Sequence, residues 1–335
     1  MGTRLNMIVL GFMLSTGFLS MWISNTATAL MMLPIGLAIV SVTASEQDEY
    51  FIRFRKSLML AIAYAASIGG VATLIGTPPN LVFAGVVRDM FHREVTFSEW
   101  FMYALPLSVV LLFFAWWYIT KFAFPLHNKR IAEDKQELAF SAARLGKMSS
   151  NEKKVAILFF IMALCWITRS FILVKWIPGL DDTIIGMAGG LLLFMIPDQS
   201  KSLKGILNWE DAGKLPWGII LLFGGGLALA DAFESSGLAT WIGESMTGLT
   251  ALSTVFIIFV VVAIVNFLTE FTSNLATVTM ILPLLAPIAI SSGIERIVLM
   301  MAATMAASCG FMMPAGTPPN AIAFGTGHLR IWDMI

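Results

Sequence analysis

Ser24-Asn25-Thr26-Ala27-Thr28, running through an apolar segment to Pro34, returns later as Ser273-Asn274-Leu275-Ala276-Thr277, running to Pro283. Seven of the eleven aligned positions are identical, and the offset is 273 − 24 = 249 residues. A second motif keeps the same order. Gly76-Thr77-Pro78-Pro79-Asn80 recurs as Gly316-Thr317-Pro318-Pro319-Asn320, an offset of 316 − 76 = 240 residues. Two unlike motifs recurring in one order mark an internal duplication, and a long-period repeat outranks local signals.

The setting is a membrane. Hydrophobic residues make up 58% of the chain and charged residues 13%, about half the charged share of a soluble domain. Apolar runs recur from end to end, and a helix needs about 20 such residues to cross about 30 Å of hydrocarbon. The short alternating segments of a β-barrel are absent. Net charge is zero, so nothing supports nucleic-acid binding. Cys165 and Cys309 lie in separate apolar segments and read as buried packing residues, without metal or disulfide spacing.

Around the first tip, residues 7–23 and 27–43 are apolar with no charged loop between them. That pattern predicts a re-entrant hairpin over 7–43, because irregular backbone at membrane depth is tolerated only where protein or a cavity surrounds it. A polar linker at 44–56 leads to a span over 57–74. Its continuation to 91 is broken by two prolines, which lack backbone donors and restrict each other. Further spans are expected at 101–120, 155–174, 183–197 and 217–231, with an interfacial helix at 234–248. The second hairpin is expected at 252–292 and the second broken span at 296–330.

The expected fold is therefore all-α and polytopic, with inverted repeats, two re-entrant helical hairpins and two discontinuous transmembrane helices. Its expected organisation is a first transport region over 1–100, spans and connecting segments over 101–250, and a second transport region over 251–335. Five spans separate the hairpins, so the second copy is inverted. Loops 44–56, 121–154 and 198–216 carry fourteen Lys or Arg, against four on the other side. This places the first set, loop 121–154 included, in the cytoplasm.

Inverted repeats with broken helices are the plan of many secondary transporters. Ser hydroxyls, Asn amides and freed carbonyls are hard oxygen ligands for a small cation. The starts of half-helices offer free N–H groups and the positive dipole end to an anion. No Lys, Arg or His lies at either motif. An anion would then be held by hydroxyls, amides, helix ends and nearby cations. Glu270 is open to two readings: an intramembrane acid is functional by default, and near a tip it can instead orient the hairpin. Arg169 is expected to snorkel, and Asp182 and Asp231 to lie at the interface. Gly224-Gly225-Gly226 lacks the Lys-Ser/Thr of a phosphate loop and reads as helix packing.

The four motifs, with Ser308 to Ala323 (SCGFMMPAGTPPNAIA) as a signature, resemble the divalent anion:sodium symporter family over most of the chain. The resemblance implies Na⁺-coupled uptake of a divalent anion, with a C4 dicarboxylate such as succinate expected. Alternatives are sulfate or another anion, or proton-coupled or exchange carriage. It implies two or more Na⁺ ions. One would be held by Ser20, Ser24, Asn25 and the Gly76 carbonyl, the other by Thr269, Thr272, Asn274 and the Gly316 carbonyl. The substrate would meet Ser24, Asn25, Thr26, Ser273, Asn274, Thr317 and Pro318. It further implies a homodimer, elevator-type movement and a place in a bacterial inner or plasma membrane. Leu275 stands where the family often has threonine. Family members are longer, so the chain is expected to be truncated at both ends. A membrane enzyme would need a nucleophile–base or metal constellation, and the sequence offers none.

Overall fold

The computed structural model describes residues 4–42, 49–126, 148–198, 205–213 and 253–335, with isolated positions between 221 and 241. Among the described residues every regular element is helical. The expected span at 217–231, the helix at 234–248, Asp231 and most of loop 121–154 lie outside them.

Two compact units are present. One comprises the described parts of 1–95, 103–134 and 221–335, and the other those of 96–102 and 135–220. Both tips and both prolyl breaks belong to the first.

In that unit α1 (Leu5–Ser20) turns through 21–24 into α2 (Asn25–Val42), and α3 (Glu49–Val71) follows. The expected polar linker is helical from Glu49, where a Glu49–Arg53 pair at 2.6 Å supports the first turn at i,i+4 spacing. α3 is the centre of the unit. From Ser57 to Val71 only Tyr64 is not fully buried. A helix apolar or small on every side belongs inside a bundle. Its Ala and Gly residues let α1, α2 and a later half-helix come close.

The chain then leaves helical geometry until α4 (Pro78–Phe91) begins on the two prolines. Proline is favoured there because the first turn has no use for its missing N–H. α5 (Phe97–Tyr118) ends in a π-helical turn, Ile119–Ala123.

The second copy repeats the plan. α9 (Thr254–Thr269) turns into α10 (Asn274–Ser291), and α11 (Arg296–Ala307) breaks before α12 (Pro318–Gly325). Ser253 and Ser273 cap α9 and α10 through Phe256 N and Ala276 N, at 3.3 and 3.1 Å. The two copies interleave. α4 packs on α10 and α11, and α12 packs on α2 and α3.

The second unit holds α6 (Ser150–Thr168), α7 (Asp182–Met195) and the short α8 (Trp209–Ala212). α6 starts on a Ser149/Glu152 capping box and runs through a π-turn at Arg169–Leu173 to Trp176. Outward apolar side chains such as Phe160, Met195 and, in the first unit, Val255 are more than two-thirds exposed, as a lipid-facing surface requires. Three helices among the described residues are long and apolar enough to span, as in an integral membrane protein.

Arg169 does not snorkel. It is buried and pairs with Asp182 at 3.2 Å, while Asp182 also accepts from Phe97 N at 2.8 Å. The pair ties the start of α7 to the turn that follows α6 within the second unit. Arg169→Ala leaves the acid without its countercharge. Because Asp182 is partly exposed, the expected loss is about 2 kcal/mol, below the ~3–5 kcal/mol of a fully buried pair. Thermal unfolding of the detergent-solubilised protein checks it. Cys165 and Cys309 are free, and half-buried rather than fully so.

Candidate functional site

Each hairpin tip meets the broken span of its own copy. In the first, α1 ends on Ser20, which is fully buried. Its hydroxyl lies 2.6 Å from Ala66 O and 2.8 Å from Asn25 Oδ1. Asn25 opens α2 and rests on Gly70. A Cβ on Gly70 would lie 2.1 Å from Asn25 Oδ1. Gly76 in turn stands close to Gly70, where an added Cβ would approach Gly70 O to 2.5 Å. Ser20, Asn25 and Gly76 thus gather around the end of α3.

The second copy builds the same cluster. Thr269 is fully buried, and its hydroxyl donates to Ala307 O at 2.8 Å. One atom of the Asn274 carboxamide lies 2.8 Å from Thr269 Oγ1, 3.1 Å from Ala307 O and 3.3 Å from Gly316 O. All three neighbours are oxygens. If the amide nitrogen faces them, it donates to them. If the amide oxygen faces them, four oxygens converge on one point. A cation and an N–H donor satisfy the same acceptor set, so these residues fit a small hard cation without rearrangement of the backbone.

Among the described residues Thr272 forms no hydrogen bond to that set. Its hydroxyl donates to Leu268 O at 3.0 Å and contacts Thr277 Oγ1. Ala307 O joins the oxygens instead, as Ala66 O does in the first copy. A carbonyl 38 or 46 residues away leaves no residue-type signal. The sequence hint was only its place, nine or ten residues before the Gly of each break.

The asparagine that ends each prolyl break braces the unwound turn. Asn80 Nδ2 donates to Thr73 O at 2.8 Å and to Gly70 O at 3.2 Å, and Asn320 Nδ2 to Gly310 O at 2.9 Å and Met313 O at 3.1 Å. Each is fully buried and catches carbonyls freed by the break. That holds the unwound turn open, because an unpaired buried carbonyl costs about 1–3 kcal/mol.

The expected anion contacts are arranged around helix starts. Ser24 is exposed at the start of α2 and accepts from Ala27 N at 3.3 Å. Ser273 is exposed at the start of α10, beside half-buried Asn274. Thr26 is half-buried. Thr317 is buried and caps α12 through Asn320 N at 3.3 Å, with Pro318 exposed beside it. Four helices therefore begin at the motifs, two at tips and two at breaks. Glu270 is 2% exposed and accepts from Met312 N and Met313 N at 2.9 and 2.8 Å. It ties the second tip to its break.

Oxygen donors gather at both tips beside both breaks in a helical membrane protein, a donor set suited to a small hard cation. A family model described as the sodium:sulfate symporter transmembrane region matches residues 1–335, and the chain belongs to that family of transporters. It is 44% identical over 342 residues to a sodium-dependent dicarboxylate transporter of Staphylococcus saprophyticus, covering 100% of this chain and 66% of the relative. It is also 44% identical to a protein of the same name from Staphylococcus aureus strain NCTC 8325, covering 99% of this chain and 66% of that relative. The chain thus spans about two-thirds of the length of these relatives.

Proposed function

We propose that this chain carries the transport core of a Na⁺-coupled carrier for a C4 dicarboxylate such as succinate. The observation that carries the reading is the duplicated oxygen set, Ser20–Asn25–Ala66 O and Thr269–Asn274–Ala307 O–Gly316 O, each at a helix start. Two sets call for two or more Na⁺ ions. The names of these relatives speak for sodium and a dicarboxylate.

The anion reads as lying between the tips, with Ser24, Asn25 and Thr26 on one side and Ser273, Asn274, Thr317 and Pro318 on the other. Two polar clusters suit a molecule with a carboxylate at each end. Bound Na⁺ supplies the positive charge that the motifs lack, so ion and substrate reinforce one another reciprocally. α9 has 16 residues, about 24 Å of helix, which is short of a full crossing and supports a re-entrant second hairpin. Hairpins entering from opposite sides, with loop 121–154 cytoplasmic, are part of this reading. Homodimer assembly and elevator movement of the interleaved hairpins complete the proposal, in a bacterial plasma membrane.

The test is uptake by the full-length gene product in liposomes. Labelled succinate should accumulate with an inward Na⁺ gradient and not with choline. Because the family description names sulfate, each anion should be run against excess of the other. Stronger displacement of succinate by sulfate than the reverse, or succinate uptake indifferent to Na⁺, would overturn the reading.

A further inference from the structure

The two copies hold their tips to their breaks at one register with different chemistry. Gly17 faces Gly69 backbone to backbone, and a Cβ on Gly69 would lie 2.2 Å from Gly17 O. The equivalent positions, 17 + 249 = 266 and 69 + 240 = 309, are joined by a side chain. Asn266 Nδ2 donates to Cys309 O at 2.8 Å and to Ala306 O at 3.2 Å. Four residues on, the Thr73 hydroxyl donates to Met21 O at 2.5 Å. The equivalents, 21 + 249 = 270 and 73 + 240 = 313, are Glu270 and Met313, where the bond runs from backbone N–H to carboxylate.

Glu270 is therefore a carboxyl group present in one copy and absent from the other. Among the described residues it forms no salt bridge. Two backbone N–H groups occupy its oxygens but bring no net charge. A carboxylate removed from water is strongly disfavoured unless a positive charge compensates it. Its surroundings say where that charge belongs. It follows Thr269 in the chain, and a Cβ on Gly316 would lie 2.8 Å from Glu270 Oε2. Thr269 and Gly316 both contribute to the second oxygen set.

We propose that Glu270 is the fixed countercharge of the second cation site, and that this site binds Na⁺ more tightly than its partner at Ser20–Asn25. The inference rests on the Na⁺-coupled reading above. Glu270 acts as a positioning and field-setting residue, one shell behind the oxygens. Its grip on Met312 and Met313 also fixes the turn that presents Gly316 O. The first site, with Met21 in the same place, has only neutral oxygens and is the one to empty first.

The experiment uses the full-length gene product in detergent without substrate. NaCl is titrated against choline chloride at constant ionic strength while thermal stability is followed, and uptake in liposomes is then measured against Na⁺. Glu270→Gln should raise the half-saturating Na⁺ at least tenfold in both readouts; a unit charge about 4 Å away at an effective dielectric of about 20 corresponds to roughly a thousandfold, which solvent and ion screening reduce. The succinate KM at saturating Na⁺ should move less than about twofold, since only the ion interaction is removed. Glu270→Asp keeps the charge while disturbing the hydrogen bonds, and should restore most of the Na⁺ response. Unchanged Na⁺ dependence in Glu270→Gln overturns the inference alone. So does a Glu270→Asp variant that loses as much as Glu270→Gln, or failure of both to fold, because the carboxylate would then serve geometry. A wild-type protein indifferent to Na⁺ in both readouts overturns the coupling reading and the inference with it.

Discussion

Asn274→Ala should nearly abolish transport at low Na⁺ and recover only at high Na⁺. The half-saturating concentration is expected to rise on the order of 10- to 100-fold, from the roughly 1.5–3 kcal/mol of one bond to a charged group. The side chain stands within 3.3 Å of three oxygens. Alanine removes the one group from the tip that reaches all of them, and water has no room to replace it cheaply in a closed turn. Asn25→Ala should act in the same direction through Ser20. Its oxygen is the acceptor of the Ser20 hydroxyl and packs directly on Gly70. Sodium titrations of succinate uptake in both variants decide the matter. Unaltered Na⁺ dependence in both would place the coupling ion elsewhere.

Gly69→Ala should be the most damaging conservative change to stability. Its Cβ would lie 2.2 Å from Gly17 O and 2.7 Å from Gly17 Cα, both backbone atoms. Neither can move without displacing α1 from α3, and Ser20 and the first tip ride on the end of α1. Overpacking usually costs about 1–3 kcal/mol. A backbone obstacle in the centre of the unit places this variant at or above the top of that range. Gly17→Ala is the useful comparison. Its Cβ would meet Leu112 Cδ1 at 2.7 Å, the far end of a flexible side chain that can rotate. It should therefore lose far less. Gly190→Ala meets nothing within 4 Å and should be neutral in the same thermal unfolding series. Equal melting temperatures for Gly69→Ala and Gly17→Ala would show that α1 and α3 do not approach as closely as described.

The asymmetry between copies bears on how the carrier works. The first tip is seated by close contact of glycines and by the hydrogen bond from Thr73 to Met21 O, neither of which carries a charge. The second is seated by Asn266 and Glu270, through hydrogen bonds and charge. Under the proposed assignment, an ion arriving at the second copy would meet a carboxylate already held in place, whereas the first copy would offer neutral oxygens alone. Ion occupancy should couple more strongly to the second tip than to the first.

Sequence alone determined the duplication, the helical membrane class, the two tips and the two breaks. These are local facts. Two adjacent prolines cannot sit inside a regular helix, and a polar Ser-Asn pair between uncharged apolar arms has few places to go. It also determined which asparagines open the hairpins' second helices, because the motif recurs with its spacing intact. Tertiary structure alone decided the rest. Ala66 O and Ala307 O join the oxygen sets through backbone atoms, which no residue type announces. Thr272 turned to its own helix because a threonine hydroxyl finds the carbonyl four residues back whenever nothing better is in reach. Arg169 was misread as an interfacial cation because its partner Asp182 is thirteen residues away, beyond any helical spacing, and only the fold brings them together. Glu270 was open in sequence between an ion relay and a structural tie. Its two N–H donors come from a turn more than forty residues distant, and a long-range contact of that kind exists only once the chain has folded.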